Sequence, residues 1–115
     1  MDAVVIGAGI IGSWVALALA RAGLSVAVCD ASNKPGDGIS GRNSGVLHAG
    51  IYYDPGSLKA IHCQRGRNLT EEFLQKHKVP FTICGKLVVG ENDDEARLVS
   101  LLENAKRSGV EGLSI

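Results

Sequence analysis

Apolar residues run almost unbroken from Ala3 to Ala20, and the run divides at the glycines of positions 7, 9 and 12. Ahead of them, Val4-Val5-Ile6 is a short block of β-formers; behind them, Ile10 to Arg21 has helix length. Ala22-Gly23 offers that helix an ending that takes positive φ, and Val26–Cys29 is a second β block closed by Asp30. Strand, helix, strand in this order predicts a βαβ unit with parallel strands. A strand buried on both faces would account for the missing polar alternation. From residue 31 to 56 the periodicity lapses into turn chemistry, with Pro35-Gly36, Asp37-Gly38, Ser40-Gly41, Asn43-Ser44-Gly45 and Asp54-Pro55-Gly56. An irregular stretch of that length inside a compact domain predicts a functional loop.

A helical period returns after Ser57, a good N-cap. Leu58, Ile61, Leu69 and Phe73 share a face, His77-Lys78 suit the C-terminal dipole, and Pro80 follows. Gly66 inside this helix costs about 1 kcal/mol relative to Ala, so either close packing or a misplaced boundary is expected there. Phe81–Val89 predicts one or two strands broken by Gly85. Asn92 with Glu95 three residues on predicts a capped third helix, buried through Leu98, Leu101, Leu102 and Ala105 and ended by Gly109.

Composition excludes several classes. Twelve basic residues balance twelve acidic ones among 115, which speaks against nucleic acid or an anionic surface as partner. The uncharged run 3–20 nears the length of a membrane span. Asp2 precedes it with no basic residue, however, and the βαβ reading accounts for every position, so neither a span nor a signal peptide is expected. Cys29, Cys63 and Cys84 form no metal-type or redox pair; a reduced protein is expected, with Cys63 and Cys84 as buried packing residues. No metal site is expected. His62 and His77 are expected at the surface or at a helix end.

The spacing Gly7-x-Gly9-x-x-Gly12 between a strand and a helix carries the first chemistry. Gly7 permits the turn, Gly9 lets a pyrophosphate approach the backbone, and Gly12 lets the helix lie close on the strand. The anion would rest on the N–H groups at the helix start, from Ile10 onward. Asp30 at the end of the next strand is placed to accept hydrogen bonds from ribose hydroxyls, and its charge disfavours a 2′-phosphate. FAD and NAD both remain.

The loop Ser40-Gly41-Arg42-Asn43-Ser44-Gly45-Val46-Leu47-His48-Ala49-Gly50-Ile51-Tyr52-Tyr53 resembles the D-amino-acid oxidase superfamily of FAD-dependent oxidoreductases, on its hydroxy-acid side. The resemblance continues through Pro55–Ala60 and Cys84–Val89 and covers nearly the whole chain. It implies an α/β, Rossmann-type FAD/NAD(P)-binding βαβ unit with a flavin-contacting loop over residues 1–79. Residues 80–115 would begin an α+β segment leading to a substrate domain. It implies FAD as cofactor, held by Gly7, Gly9, Ile10, Gly12 and Asp30, with Arg42, Asn43 and Ser44 near the pyrophosphate and flavin. The family more often has Glu where Asp30 stands.

The activity implied is hydride transfer to flavin from a small 2-hydroxy acid, foremost L-2-hydroxyglutarate giving 2-oxoglutarate. Another flavin oxidoreductase activity, on an amino acid or glycerol 3-phosphate, and a non-catalytic nucleotide-binding remnant are the alternatives. His48 is the titratable group of the loop suited to taking the hydroxyl proton, against a role in orienting the loop alone. Tyr52 and Tyr53 read more readily as core than as site lining, and Lys86 as either a solvated lysine or a partner for a substrate carboxylate. A cytoplasmic protein is expected, with peripheral membrane association or an electron-acceptor partner as what the resemblance allows. A complete member of the family would be about three times longer, so the chain is expected to be a fragment, inactive and prone to aggregate alone.

Overall fold

The computed structural model describes all residues, Met1–Ile115. They form two compact units, Met1–Val46 and Leu47–Ile115.

In the first unit, strand β1 (Ala3–Ile6) and strand β2 (Val26–Cys29) pair in parallel, Ala3 opposite Val26 and Ile6 opposite Cys29, with helix α1 (Ile10–Arg21) between them in sequence. The ladder extends at both ends: Asp2 N–H donates to the Ser25 carbonyl at 2.9 Å, and Gly7 N–H to the Cys29 carbonyl at 2.7 Å. Helix α1 ends as its Ala22-Gly23 predicts. Gly23 takes φ +86°, its N–H reaches Ala20, and Leu24 N–H reaches back to Leu19, a Schellman ending.

The expectation that β1 is buried on both faces is not met. Val5 alone is buried, while Val4 and Ile6 are exposed, Ile6 by 89%. A single helix covers one face of a two-stranded sheet, so alternate side chains on the other face have nothing against them.

In the second unit, helix α2 spans Leu58–Lys76, and Ser57 caps it as expected, its Oγ accepting from Ala60 N–H at 3.2 Å. Gly66 lies inside the helix with nothing within 4 Å of where a Cβ would stand, so the boundary was sound and no close packing explains the glycine. The expected stripe does not form the contact face: Leu58 and Ile61 are exposed and Ala60, 3% exposed, is the buried point. Lys78 closes the helix at φ +54°, with Val79 N–H donating to the Leu74 carbonyl. His77 is the C-cap, its ring 4.2 Å from that of Phe73, and His62 is exposed, as expected of both.

Four expectations need correction here. Residues 81–89 form no strand, because β1 and β2 are the only paired strands and a lone segment has no ladder to join. Helix α3 runs Glu95–Arg107, but Asn92–Asp94 forms a 3-10 turn before it. The cap is therefore Glu91, whose N–H donates to Asp94 Oδ2 at 3.3 Å, one residue earlier than the Asn92–Glu95 pair. The thiols are not buried: Cys29 and Cys84 are exposed and Cys63 is half-buried. Tyr52 is exposed too, with Lys86 Nζ 4.6 Å above its ring, so a cation–π contact replaces the core role expected of that tyrosine.

Helix α3 does end at Gly109, φ +80°, and its expected stripe carries the core of this unit. Ala105 is 1% exposed and packs with Ile51 and Val110, and Ala49, Val88, Leu101 and Leu113 close around them.

Candidate functional site: a glycine turn, a helix terminus and a returning loop

The first unit carries an open cleft of about 1300 Å3. Gly7, Gly9, Ile10, Gly12, Asp30 and Asn43 all line it, together with the loop 35–41. Gly7 leaves the strand at φ +102°, a conformation L-residues with a side chain rarely take. Gly12 is required by contact: a Cβ there would overlap the Gly7 carbonyl oxygen and stand 3.3 Å from Val5 Cγ1. The third fingerprint glycine thus sets how closely α1 lies on β1.

Asp30 fastens this turn. One carboxylate oxygen accepts from Ala8 N–H at 2.6 Å, the other from Ser32 N–H at 2.7 Å. The Ala8 bond first, then the Ser32 bond, holds the carboxyl below its ordinary 3.8. Because the folded value is depressed, the stabilisation from these bonds is complete above pH 3.8 and is lost as pH falls through the lower folded value. The Ala8 amide resonance should therefore titrate with a midpoint below 3.8; a midpoint at or above it would separate Asp30 from the turn. A carboxylate offers about four lone-pair positions, so two bonds leave room for ribose hydroxyls.

The loop after β2 returns onto the helix terminus. Gly36 N–H donates to the Ala8 carbonyl at 2.9 Å, and Ile10 N–H donates to Ser40 Oγ at 2.9 Å. Ser40 is the second residue of the 3-10 turn Ile39–Arg42, and the sequence marks it only as part of the loop, not as a site residue. Gly9 matters here for a second reason: a Cβ on it would stand 3.0 Å from Ser40 Oγ. Asn43 turns its Oδ1 to its own backbone, accepting from Gly45 N–H at 2.9 Å. Arg42 and Ser44 are exposed and do not line the cleft.

His48 lies in the second unit, its side chain exposed and its carbonyl accepting from Cys63 Sγ at 3.3 Å. The segment it begins is held by side chains at successive carbonyls. Gln64 Nε2 donates to Ala49 at 2.6 Å, and Asn104 Nδ2 donates to Ile51 at 3.1 Å and Tyr53 at 2.9 Å. Gly50, φ +79°, packs against Cys63, where a Cβ would meet Sγ at 3.3 Å. Gln64 and Asn104 were invisible to sequence patterning, because nothing local marks an amide on a helix as the anchor of a distant loop.

The residues of the cleft suit the ADP half of FAD: backbone donors at a helix terminus for the phosphates, and a charged acceptor beside them for the ribose. The model of the FAD dependent oxidoreductase family matches residues 2–114. The chain is 40% identical over 99% of its length to the mitochondrial L-2-hydroxyglutarate dehydrogenase of Nematostella vectensis, covering 26% of that protein. It is 44% identical over 89% of its length to that of Arabidopsis thaliana and 40% over 99% to that of Homo sapiens, covering 21% and 25% of them. It spans about a quarter of the length of these relatives. A parallel βαβ unit with the glycine turn, matched from end to end by one family model, places this chain in the FAD-dependent oxidoreductase family.

Proposed function

We propose that this chain binds the ADP half of FAD and forms the N-terminal part of an enzyme that oxidises a 2-hydroxy acid, L-2-hydroxyglutarate to 2-oxoglutarate. The observation that carries the cofactor reading is the fastening of the glycine turn by Asp30 beside the start of α1. The substrate reading is supported by the relatives, named for that substrate at about 40% identity. In this reading residues 1–79 serve the cofactor and 80–115 lead into the substrate-binding part.

FAD, when bound, supplies the acceptor for the hydride that leaves the carbon bearing the hydroxyl. The chain's own residues do the rest. The N–H groups of the first turn of α1 bind the pyrophosphate, Asp30 accepts from the ribose, and Gly7 and Gly12 hold the turn in register for both. Arg42, Asn43 and Ser44 are proposed as further contacts, Arg42 offering fixed charge to phosphate oxygens. His48 is proposed to take the hydroxyl proton. A competing role, orienting its loop, is favoured by the bond to its backbone carbonyl rather than its ring.

The reduced flavin passes its electrons to a separate acceptor: oxygen, a quinone or a carrier protein. A cytoplasmic setting, or peripheral association with a membrane, belongs to the same reading. No helix is long and apolar enough to cross a membrane.

The test is spectroscopic. The enzyme of which this chain is proposed to form part should, when purified, take up FAD and turn yellow, and anaerobic addition of L-2-hydroxyglutarate should bleach the flavin while amino acids and glycerol 3-phosphate do not. Bleaching by an amino acid would move the substrate within the family. Uptake of NAD in place of FAD would remove the cofactor reading.

A further inference from the structure

We propose that Cys63 and Gln64 are positioning residues, which hold the backbone at His48 so that its ring is aimed at a substrate hydroxyl; the inference rests on the reading of His48 as the group that takes that proton. The side chain of His48 is exposed, and the segment from it to Tyr53 belongs to no helix or strand. Such a segment has no ladder of its own to fix its peptide planes. Helix α2 supplies what a neighbouring strand would. Cys63 Sγ donates to the His48 carbonyl at 3.3 Å, and Gln64 Nε2 donates to the Ala49 carbonyl at 2.6 Å. The peptide group is planar, so holding one oxygen holds a whole plane. The first bond holds the plane that leaves His48, and the second holds the plane after it. Together they restrict ψ at His48 and the direction in which its side chain departs. The bond at His48 runs through its carbonyl, which leaves both ring nitrogens to a substrate.

Both sides of this grip are shaped for it. Cys63 and Gln64 are consecutive and half-buried on α2, in the part of the helix that follows the Ser57 cap. Gly50, at φ +79°, gives the helix room to approach: a Cβ there would stand 3.3 Å from Cys63 Sγ and 3.4 Å from Cys63 Cβ. The far end of the segment is held separately, by Asn104 of α3 at the Ile51 and Tyr53 carbonyls. The two helices thus divide the work. Asn104 ties the segment to the core of the unit, whereas the α2 pair fixes the end that carries His48. A base that swings through several directions spends less time within hydrogen-bond reach of the proton it must take, and a misplacement of about 1 Å costs up to about a hundredfold in rate.

Stopped-flow measurement of flavin reduction by L-2-hydroxyglutarate across pH tests this, in the FAD-loaded enzyme of which this chain is proposed to form part. The variants are Gln64→Met, Cys63→Ala, Cys63→Ser and His48→Asn, with Gln64→Met and Cys63→Ala each also combined with His48→Asn. Gln64→Met keeps the length of the side chain and loses the donor, and it should slow reduction by roughly tenfold to a hundredfold while substrate Kd stays within about twofold. Cys63→Ala should slow reduction less, because a thiol is a weak donor, and Cys63→Ser, whose hydroxyl still donates, should recover the rate. In the His48→Asn background, where no base is left to aim, neither substitution should slow reduction further. Equal slowing in both backgrounds, or parental reduction by Gln64→Met, would overturn the positioning role and leave the reading of His48 standing. Parental reduction by His48→Asn with an unchanged pH profile would overturn the reading of His48 and this inference with it. Flavin absorbance shows whether each variant keeps its cofactor; should Gln64→Met lose it, Cys63→Ala against Cys63→Ser makes the same comparison.

Discussion

Gly12→Ala is expected to cost the protein about 3 kcal/mol and its affinity for FAD together, the first by overpacking against a rigid neighbour. The added methyl would meet backbone, the Gly7 carbonyl oxygen, on one side and Val5 Cγ1 at 3.3 Å on the other. A flexible side chain could swing away; a carbonyl whose own residue ends the β1 ladder cannot. Helix α1 must move off the sheet, and its N–H groups move with it. Gly66→Ala is the contrast. Its methyl meets nothing within 4 Å inside a regular helix, so stability should rise by about 1 kcal/mol with FAD affinity unchanged. Urea unfolding and FAD titration of the two variants read both effects. Equal stability of Gly12→Ala and the parent would show that α1 does not rest on the glycine turn.

Asn104→Ala is expected to cost about 2 kcal/mol, more than its half-buried position alone suggests, because two carbonyls depend on one amide. Ile51 would lose the donor seen here, and Tyr53 would keep only the long bond from Ser108 Oγ at 3.4 Å. Ile51 is itself part of the small core with Ala105 and Val110, so the loop and the core would loosen together. Asn104→Asp should be worse than Asn104→Ala, since a carboxylate would turn an acceptor towards two acceptors. Urea unfolding measures both variants. A loss below about 0.5 kcal/mol for the alanine variant would mean that the loop is held by Gln64 and Cys63 without help from α3.

The parts of this molecule that could be read from sequence are those whose cause is local. The glycine turn, the Ser57 cap, the Gly23 and Gly109 endings and the Asp30 position each follow from residues a few places apart, and each stands where expected. Residues 81–89 failed for the opposite reason. Their β-formers describe what the segment would do beside a partner strand, and pairing is a property of two segments. Helix α2 misled in the same way, as Leu58 and Ile61 mark an apolar face while contact inside this unit falls at Ala60. In the site, fingerprint spacing found Gly7, Gly9 and Gly12 but not Ser40. The bond from Ile10 spans a loop whose path no local pattern encodes.

That loop has a thermodynamic consequence. The bonds from Ala8 to Asp30, from Gly36 to Ala8 and from Ile10 to Ser40 all close inside Met1–Val46. On the proposed cofactor role, the glycine turn, Asp30 and the start of α1 that would grip the adenosine diphosphate all lie in this one unit. A ligand that binds only the folded form adds RT ln(1 + [L]/Kd) to its stability, about 2.7 kcal/mol at a hundredfold excess over Kd. For a unit that buries one strand residue, an increment of that size decides how much of the chain is folded at all. Flavin supply would then govern the abundance of the protein before it governed its turnover, and scarcity of the vitamin would register first as lost polypeptide.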